Sequence, residues 1–171
     1  MKGYVHVYTG NGKGKTTAAM GLALRATGAG KNIYIAQYAK GMHYSELEAI
    51  AKYVPNITLK QYGLGCFIFN EPKQADIEAA NIGLREVEAL ITGCEYDVII
   101  LDEANIAIFY NLFSANDLIT ILNKRNPATE IIITGRYACD EIIEYADLVT
   151  EMKEIKHYYQ QGVQARVGIE K

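Results

Sequence analysis

The chain has 171 residues, of which 50% are hydrophobic and 22% are charged, a composition that is typical of a folded globular protein and excludes a disordered one. Its formal net charge of −3 argues against a surface that neutralises a nucleic-acid backbone, and no apolar run approaches the ~20 residues of a membrane span. Cys66, Cys94 and Cys139 are scattered and form no metal-binding or disulfide pattern. We therefore predict one cytoplasmic domain over residues 1–171, with reduced core thiols and neither a nucleic-acid nor a membrane partner.

The first predicted strand, residues 4–8, runs into a glycine-rich loop that is followed by an alanine-rich helix over residues 17–27. Glycine permits the conformations and the close approach by which successive backbone N–H groups point at a polyphosphate. In such a loop a lysine places its ammonium on the phosphates, and a threonine hydroxyl binds Mg²⁺. Thr9 stands where the common pattern has glycine, and a plain structural turn is the alternative interpretation. The predicted nucleotide-binding residues here are Thr9, Gly10, Asn11, Gly12, Lys13, Gly14, Lys15, Thr16 and Thr17.

The rest of the chain alternates short apolar strands with helices. The predicted elements are a strand over 33–36, a loop over 37–43, a helix from 45 to about 53, a strand over 57–61, an irregular loop over 62–72, an amphipathic helix over 74–92, a strand over 96–101, a helix opening at 114, a strand over 130–134, a short helix over 140–145, a strand over 148–152 and a polar tail over 156–171. Ser45 with Glu48, and Ser114 with Asp117, are predicted capping boxes. This alternation predicts an α/β fold with a mostly parallel sheet covered by helices on both faces.

Ligands of parallel sheets bind beyond the carboxyl ends of the strands, and several polar residues directly follow predicted strands. We expect these residues to converge on one crevice: Lys13, Lys15, Thr16, Gln37, Lys40, Asp102, Glu103 and Arg136.

Residues 98–103, four apolar residues and then two acids, have the form of a strand whose carboxylates face a nucleotide-bound metal. One or two carboxylates suffice for Mg²⁺ when phosphates supply the other ligands. The predicted metal ligands are therefore Thr16, Asp102 and Glu103. The alternative is that the two acids cap a helix beginning at Ala104, and Arg136 either binds phosphate or forms a surface ion pair.

Histidines and aromatic residues give weaker signals. His6, His43 and His157 are isolated from one another in the sequence, which favours structural roles over a metal cluster. Phe67 and Phe69 lie in a glycine-bounded loop beside the expected crevice, and their pattern leaves a core role and a site role equally open.

Several stretches of this sequence resemble one family along nearly the whole chain. The stretches are residues 8–19, 37–41, 100–103 and 133–136, followed by Lys156-His157 with Gly162-Val163, Ala165 and Gly168-Ile169. The sequence resembles the P-loop class of ATP:corrinoid adenosyltransferases. This resemblance implies a RecA-like P-loop NTPase fold, a homodimer, and transfer of the 5′-deoxyadenosyl group of ATP to the Co(I) ion of a corrinoid (cobalamin or a precursor such as cob(I)yrinic acid a,c-diamide), with release of triphosphate.

The resemblance also implies roles for individual residues. By position, residues 10–16 bind the triphosphate, Thr16 and Glu103 bind Mg²⁺ with support from Asp102, and the catalytic cations are Lys13, Lys15 and Arg136, while Gln37 and Lys40 belong to the cofactor-binding set. Aromatic side chains of the family assist reduction to Co(I), which a flavoprotein or other reductase supplies, by displacing the lower axial ligand of cobalt. Phe67 and Phe69 occupy the corresponding loop, which departs from the family's Phe-Thr-Trp run because this chain has no tryptophan.

Two rival functions share a phosphate loop and Mg²⁺. A P-loop kinase would move the γ-phosphoryl group of ATP to a hydroxyl, and it would need a base that orients the acceptor and usually an arginine-rich lid. An ATPase switch would instead drive a partner protein. Triphosphate with an adenosylated corrinoid, ADP with a phosphorylated acceptor, and ADP with phosphate are the products that separate the three functions.

Overall fold

The structure is a computed structural model that describes residues 2–65 and 71–171. Within these ranges six strands form one sheet: β1 Val5–Thr9, β2 Ile33–Tyr38, β3 Ile57–Tyr62, β4 Val98–Asp102, β5 Glu130–Thr134 and β6 Leu148–Glu151. The helices of these ranges are α1 Lys15–Gly28, α2 Ser45–Tyr53, α3 Gln74–Ile91, α4 Ala104–Phe109, α5 Ala115–Leu122, α6 Asp140–Tyr145 and a 3₁₀ helix, Tyr158–Gln161. None of the helices in the described ranges is long and apolar enough to cross a membrane.

The strand order is β3-β2-β4-β5-β1-β6, and every neighbouring pair is parallel. Two layers of helices cover the sheet because alternate residues of each strand point to opposite faces. Ile33 and Ile35 pack with α1 and α2, whereas Tyr34 and Ala36 pack with the helices from α3 to α6. The predicted α/β fold with a parallel sheet and helices on both faces is confirmed, and it is consistent with the RecA-like P-loop class.

The topology places a crevice beside β1. The chain leaves β1 toward α1 on one face of the sheet, whereas it leaves the neighbouring strand β5 toward α6 on the other face. Loops that diverge to opposite faces leave a gap at the carboxyl ends of adjacent strands, which is where ligands of open α/β sheets bind. The predicted phosphate loop, residues 10–14, lies at this point.

Two local predictions are wrong. Gln37 and Tyr38 continue β2 instead of opening a loop, because both are fully buried and pair with β3, and Gln37 also pairs with β4. Ser45 is the first residue of α2, which is preceded by Tyr44, so it forms no capping box with Glu48; its hydroxyl instead donates to the main-chain oxygen of Lys171 at 3.0 Å.

Two further predictions concern the second capping box and the core thiols. The second capping box is confirmed, because the amide of Asp117 donates to the Ser114 hydroxyl at 3.1 Å and the Ser114 amide donates to the Asp117 carboxylate at 3.0 Å. The prediction of core thiols is wrong for Cys94, which is exposed, and Cys139 is only partly buried. Cys66 lies outside the described residues.

Gly83 of α3 provides a test of the packing beneath the sheet. A Cβ atom at this position would lie 2.5 Å from the ring of Tyr62, which is buried at the end of β3. Since the ring is held inside the core, we expect Gly83→Ala to lower the free energy of unfolding by about 1–3 kcal/mol, as overpacked cores do. Urea denaturation measures this loss.

Gly21 of α1 is the matched control, because a Cβ atom there meets nothing within 4 Å. Gly21→Ala should stabilise the protein by up to about 1 kcal/mol through helix propensity alone. Equal effects of the two substitutions would contradict the predicted clash.

Candidate nucleotide site

A crevice of about 800 Å³ opens at the carboxyl ends of the strands, and most of the predicted site residues line it. Those on its wall are Gly12, Lys13, Gly14, Lys15, Thr16, Thr17, Lys40, Glu103 and Arg136. Those not on its wall are Thr9, Gly10, Asn11, Gln37 and Asp102. This volume is in the range of small-molecule sites, roughly 300–1,000 Å³.

The phosphate loop owes its shape to glycines that lie against the end of β6. Gly10 and Gly14 have φ values of 93° and 118°, which only glycine adopts readily. A Cβ atom at Gly10 or Gly12 would lie 2.5 or 2.8 Å from the carbonyl oxygen of Met152. The Gly12 amide donates to this same oxygen at 2.7 Å, so that amide supports the loop and is not directed at a ligand.

Lys15 begins α1 and is buried. Its ammonium donates to the carbonyl oxygens of Gly10 at 2.7 Å and Gly12 at 2.8 Å, so the loop surrounds the Lys15 ammonium. An ammonium has three N–H groups, which leaves one for the crevice. Burial lowers the pKa of Lys15, and the nearby Glu103 charge opposes that shift.

Asp102 lies behind the crevice wall, fully buried at the end of β4. Its carboxylate accepts hydrogen bonds from Lys40 Nζ at 2.7 Å, Thr134 Oγ1 at 2.7 Å, Thr16 Oγ1 at 2.9 Å and Gln37 Nε2 at 3.2 Å. These four donors satisfy both oxygens. Burial alone would raise the pKa of Asp102, but the Lys40 charge and the hydrogen bonds lower it, and the pKa of Lys40 is raised in turn.

Glu103, the next residue, faces the crevice instead. Its backbone has a φ of 59°, and its amide donates to Thr134 Oγ1 at 3.0 Å, which turns the side chain away from the sheet. Glu103 occupies the N-cap position of α4, but within the described residues its carboxylate makes no capping hydrogen bond, no other hydrogen bond and no ion pair, so its side chain does not cap the helix. Burial and the Asp102 charge raise the pKa of Glu103.

Arg136 follows the end of β5. It is exposed, it lines the crevice, and it has neither a hydrogen bond nor an ion pair among residues 2–65 and 71–171. The surface ion-pair alternative is therefore not what the structure shows. The side chain carries a positive charge into the crevice, where its field reaches Lys15 and Glu103.

The crevice wall includes residues that the sequence patterns did not assign to the site. Two groups share this property, one at the start of α2 and one near the end of the chain: Tyr44, Ser45, Glu46, His157, Gly168, Ile169, Glu170 and Lys171. Only the family-like spacing of the tail glycines hinted at the second group. Phe67 and Phe69 lie outside the described residues, so their predicted role stays a prediction.

The histidines have separate partners. His6 pairs with Glu130 at 2.7 Å, His43 with Glu48 at 2.8 Å, and His157 Nδ1 accepts from the Tyr159 amide at 3.0 Å. Within the described ranges no group of three or more histidine, cysteine or acidic side chains is arranged to hold a metal ion.

Comparison with known proteins agrees with this geometry. A family model described as ATP:corrinoid adenosyltransferase BtuR/CobO/CobP matches residues 1–170. The corrinoid adenosyltransferase of Escherichia coli K12 is 31% identical over 169 residues, which are 99% of this chain and 86% of the relative. The corrinoid adenosyltransferase CobA of Salmonella typhimurium is 32% identical over the same coverage.

A corrinoid adenosyltransferase of Sinorhizobium sp. is 34% identical over 172 residues, which cover 99% of this chain and 80% of the relative. These matches run from the phosphate loop through the tail, so they include every element that builds the crevice. The chain therefore belongs to the ATP:corrinoid adenosyltransferase family.

Proposed function

We propose that this protein transfers the 5′-deoxyadenosyl group of ATP to the Co(I) ion of a corrinoid and releases triphosphate. One observation carries the proposal in a chain of this family: the buried Lys15 and Arg136, which has no hydrogen bond or ion pair within the part of the chain that the structure describes, line a crevice that is large enough for a nucleotide. Two cations that line one crevice suit a leaving group that departs as a polyanion.

The chemistry places few demands on acid–base groups. Cobalt donates an electron pair to C5′ of the ribose, the C5′–O bond breaks, and its electron pair leaves with triphosphate while cobalt passes from Co(I) to Co(III). No proton is transferred, so the protein has to align the reactants and stabilise the leaving charge. Lys15 and Arg136 are suited to this stabilisation, with the backbone N–H groups at the start of α1.

The residues present also fit Mg²⁺. The fit depends on Glu103, whose carboxylate is directed into the crevice without a protein partner in the described ranges, and on Thr16, which lines the same crevice. Oxygen ligands of this kind suit Mg²⁺, which offsets phosphate charge. Asp102 is held by four protein donors, so we assign it to positioning Thr16 and Lys40.

The same arrangement speaks against the kinase alternative. A kinase needs a carboxylate that is able to orient an acceptor hydroxyl. Asp102 is buried and saturated with hydrogen bonds, and Glu103 is the carboxylate suited to the metal. Of the two acids that follow β4, only Glu103 reaches the crevice, and the metal role leaves neither of them free to orient an acceptor hydroxyl.

Four finer points extend the proposal. Co(I) requires an external electron donor, which supports a flavoprotein or other reductase as a partner. Leu148 and Val149 are exposed on the edge strand β6, which supports self-association as a homodimer.

We also assign the protein to the cytoplasm, where ATP is available. We propose that Phe67 or Phe69 displaces the lower ligand of the corrinoid.

Product analysis tests the proposed reaction. Under anaerobic conditions with ATP, Mg²⁺ and chemically reduced cobalamin, we expect the visible spectrum of adenosylcobalamin to appear together with one equivalent of triphosphate. Without the reductant, Co(II) cobalamin should give no product. Formation of ADP with phosphate, or of ADP with a phosphorylated alcohol, would contradict the proposal.

A further inference from the structure

Lys13 of the phosphate loop and Lys15, the first residue of α1, have different surroundings. The Lys15 ammonium lies inside the loop, whereas the Lys13 ammonium points away from it to residues 157–171, which we call the tail segment. Lys13 Nζ donates to Glu170 Oε1 at 2.9 Å, to the Ile169 carbonyl at 3.3 Å and to the Tyr158 hydroxyl at 3.3 Å. Because an ammonium has three N–H groups, all the donors of Lys13 are used by the tail segment.

Glu170 is a preformed acceptor for that lysine. Its carboxylate accepts from the Arg166 amide at 2.9 Å, from Arg166 Nε at 3.3 Å and NH2 at 3.2 Å, and from the Tyr158 hydroxyl. The Arg166 guanidinium also lies 5.1 Å from the centre of the Tyr158 ring. The tail segment therefore holds Glu170 in place by itself, and the Glu170 side chain is only 15% exposed.

The tail segment forms a wall of the crevice and does not fill it. Gly168, Ile169, Glu170 and Lys171 line the crevice, whose volume of about 800 Å³ is what remains with the segment in this position. Ser45 of α2 holds the same turn on its other side, by donating to the main-chain oxygen of Lys171 at 3.0 Å. A segment that leaves a nucleotide-sized space is suited to enclose a ligand.

We propose that Lys13 is the anchor that fastens the tail segment along the nucleotide crevice, with Glu170 as its positioning partner, and that Lys13 is not a phosphate ligand. This inference deepens the proposed function and depends on it for the identity of the nucleotide. Lys15 and Arg136 then carry the contacts to phosphate. Lys13 and Glu170 act on ATP affinity indirectly, by keeping the tail wall in position.

The two roles of Lys13 predict opposite effects of Glu170→Ala. If Lys13 anchors the wall, the substitution frees the tail segment and weakens ATP binding by about fivefold or more, the loss expected for a charged hydrogen-bond network. If Lys13 binds phosphate, the substitution removes a competing carboxylate and ATP binding strengthens or stays the same. Isothermal titration calorimetry with ATP and Mg²⁺ measures the sign.

Two arms complete the test. Hydrogen exchange without nucleotide should be faster across residues 157–171 in Lys13→Ala, in Glu170→Ala and in the conservative Glu170→Gln, and unchanged exchange would overturn the anchor. The ATP affinities of the single and double variants should be non-additive, because both side chains belong to one contact. An additional loss from Lys13→Ala in the Glu170→Ala background would assign Lys13 to phosphate and overturn the inference.

Controls separate this inference from the proposed function. Glu154→Ala removes a carboxylate that precedes the tail segment and accepts a hydrogen bond from Gln160 Nε2 at 2.7 Å, and it should change neither exchange in residues 157–171 nor ATP affinity by more than about twofold. The exchange arm uses no nucleotide, so it tests the anchor even if the unaltered protein fails to bind ATP. Such a failure would refute the proposed function alone.

Discussion

Lys15→Ala is expected to lower kcat/KM for adenosyl transfer at least ~100-fold, comparable to the loss of one preorganised charge-stabilising donor in other enzymes. The side chain is buried in the phosphate loop, where its ammonium holds the Gly10 and Gly12 carbonyl oxygens and keeps one N–H group for the crevice. Alanine removes both the charge that stabilises departing triphosphate and the centre around which the loop is wrapped. Steady-state rates of adenosylcobalamin formation measure the effect, and calorimetry with ATP measures the accompanying loss of affinity.

Lys124→Ala is the matched control, because Lys124 lies on the surface and pairs with Glu88 at 2.6 Å. We expect that variant to keep kcat/KM within about twofold, since exposed ion pairs contribute at most about 1 kcal/mol. Lys15→Arg keeps the charge but not the fit within the loop, and it should recover little activity. A Lys15→Ala enzyme that folds and retains the unaltered rate would remove Lys15 from the reaction.

Replacing Asp102 with alanine is expected to cost about 3–5 kcal/mol of folding stability, the usual cost of breaking a buried charge pair by removing one partner. Asp102 is fully buried, and its loss leaves the Lys40 ammonium, two threonine hydroxyls and the Gln37 amide without their acceptor. Chemical denaturation measures the change in the free energy of unfolding. Glu88→Ala, which removes the surface partner of Lys124, should cost less than about 1 kcal/mol.

A charge-matched pair of variants checks the cause. Asp102→Asn leaves the ammonium of Lys40 uncompensated, whereas adding Lys40→Met removes both charges and should recover part of the lost stability. If Lys40→Met instead adds a full further loss in the Asp102→Asn background, the two side chains do not stabilise each other.

The pH dependence of stability gives a second readout. The folded-state pKa of Asp102 is lowered, so its stabilising contribution is present above the ordinary aspartate pKa of ~3.9 and is lost as the pH falls from there through the lower folded-state pKa. Asp102→Asn should therefore show a shallower loss of stability on acidification than the unaltered protein. If the stability of the two proteins falls equally steeply on acidification, other carboxylates account for the acid dependence.

The sequence predicted the alternation of strands and helices, the parallel sheet and the phosphate loop. Buried parallel strands are short apolar runs, and glycines with a lysine and a threonine indicate a loop that is able to surround an anion. Each of these patterns occupies only about ten consecutive residues, so the sequence alone shows it. The errors at Gln37 and Ser45 arose where a polar residue suggested a loop or a cap. The buried side-chain amide of Gln37 donates a hydrogen bond to Asp102 at 3.2 Å. Asp102 lies on β4, which is next to β2 in the sheet, but it is 65 positions away in the sequence, so the local pattern did not indicate this partner.

By itself, the sequence determined the fold class and the set of charged residues that gather at one edge of the sheet. Only the tertiary structure decided which of them face the crevice. Asp102 is fully buried and does not line the crevice, whereas Glu103 is directed into the crevice. It also decided that Lys13 bonds to Glu170, 157 positions away. The physical reason is that periodicity and loop chemistry are local properties of the chain, whereas the role of a charge depends on the partners that folding brings within hydrogen-bonding distance.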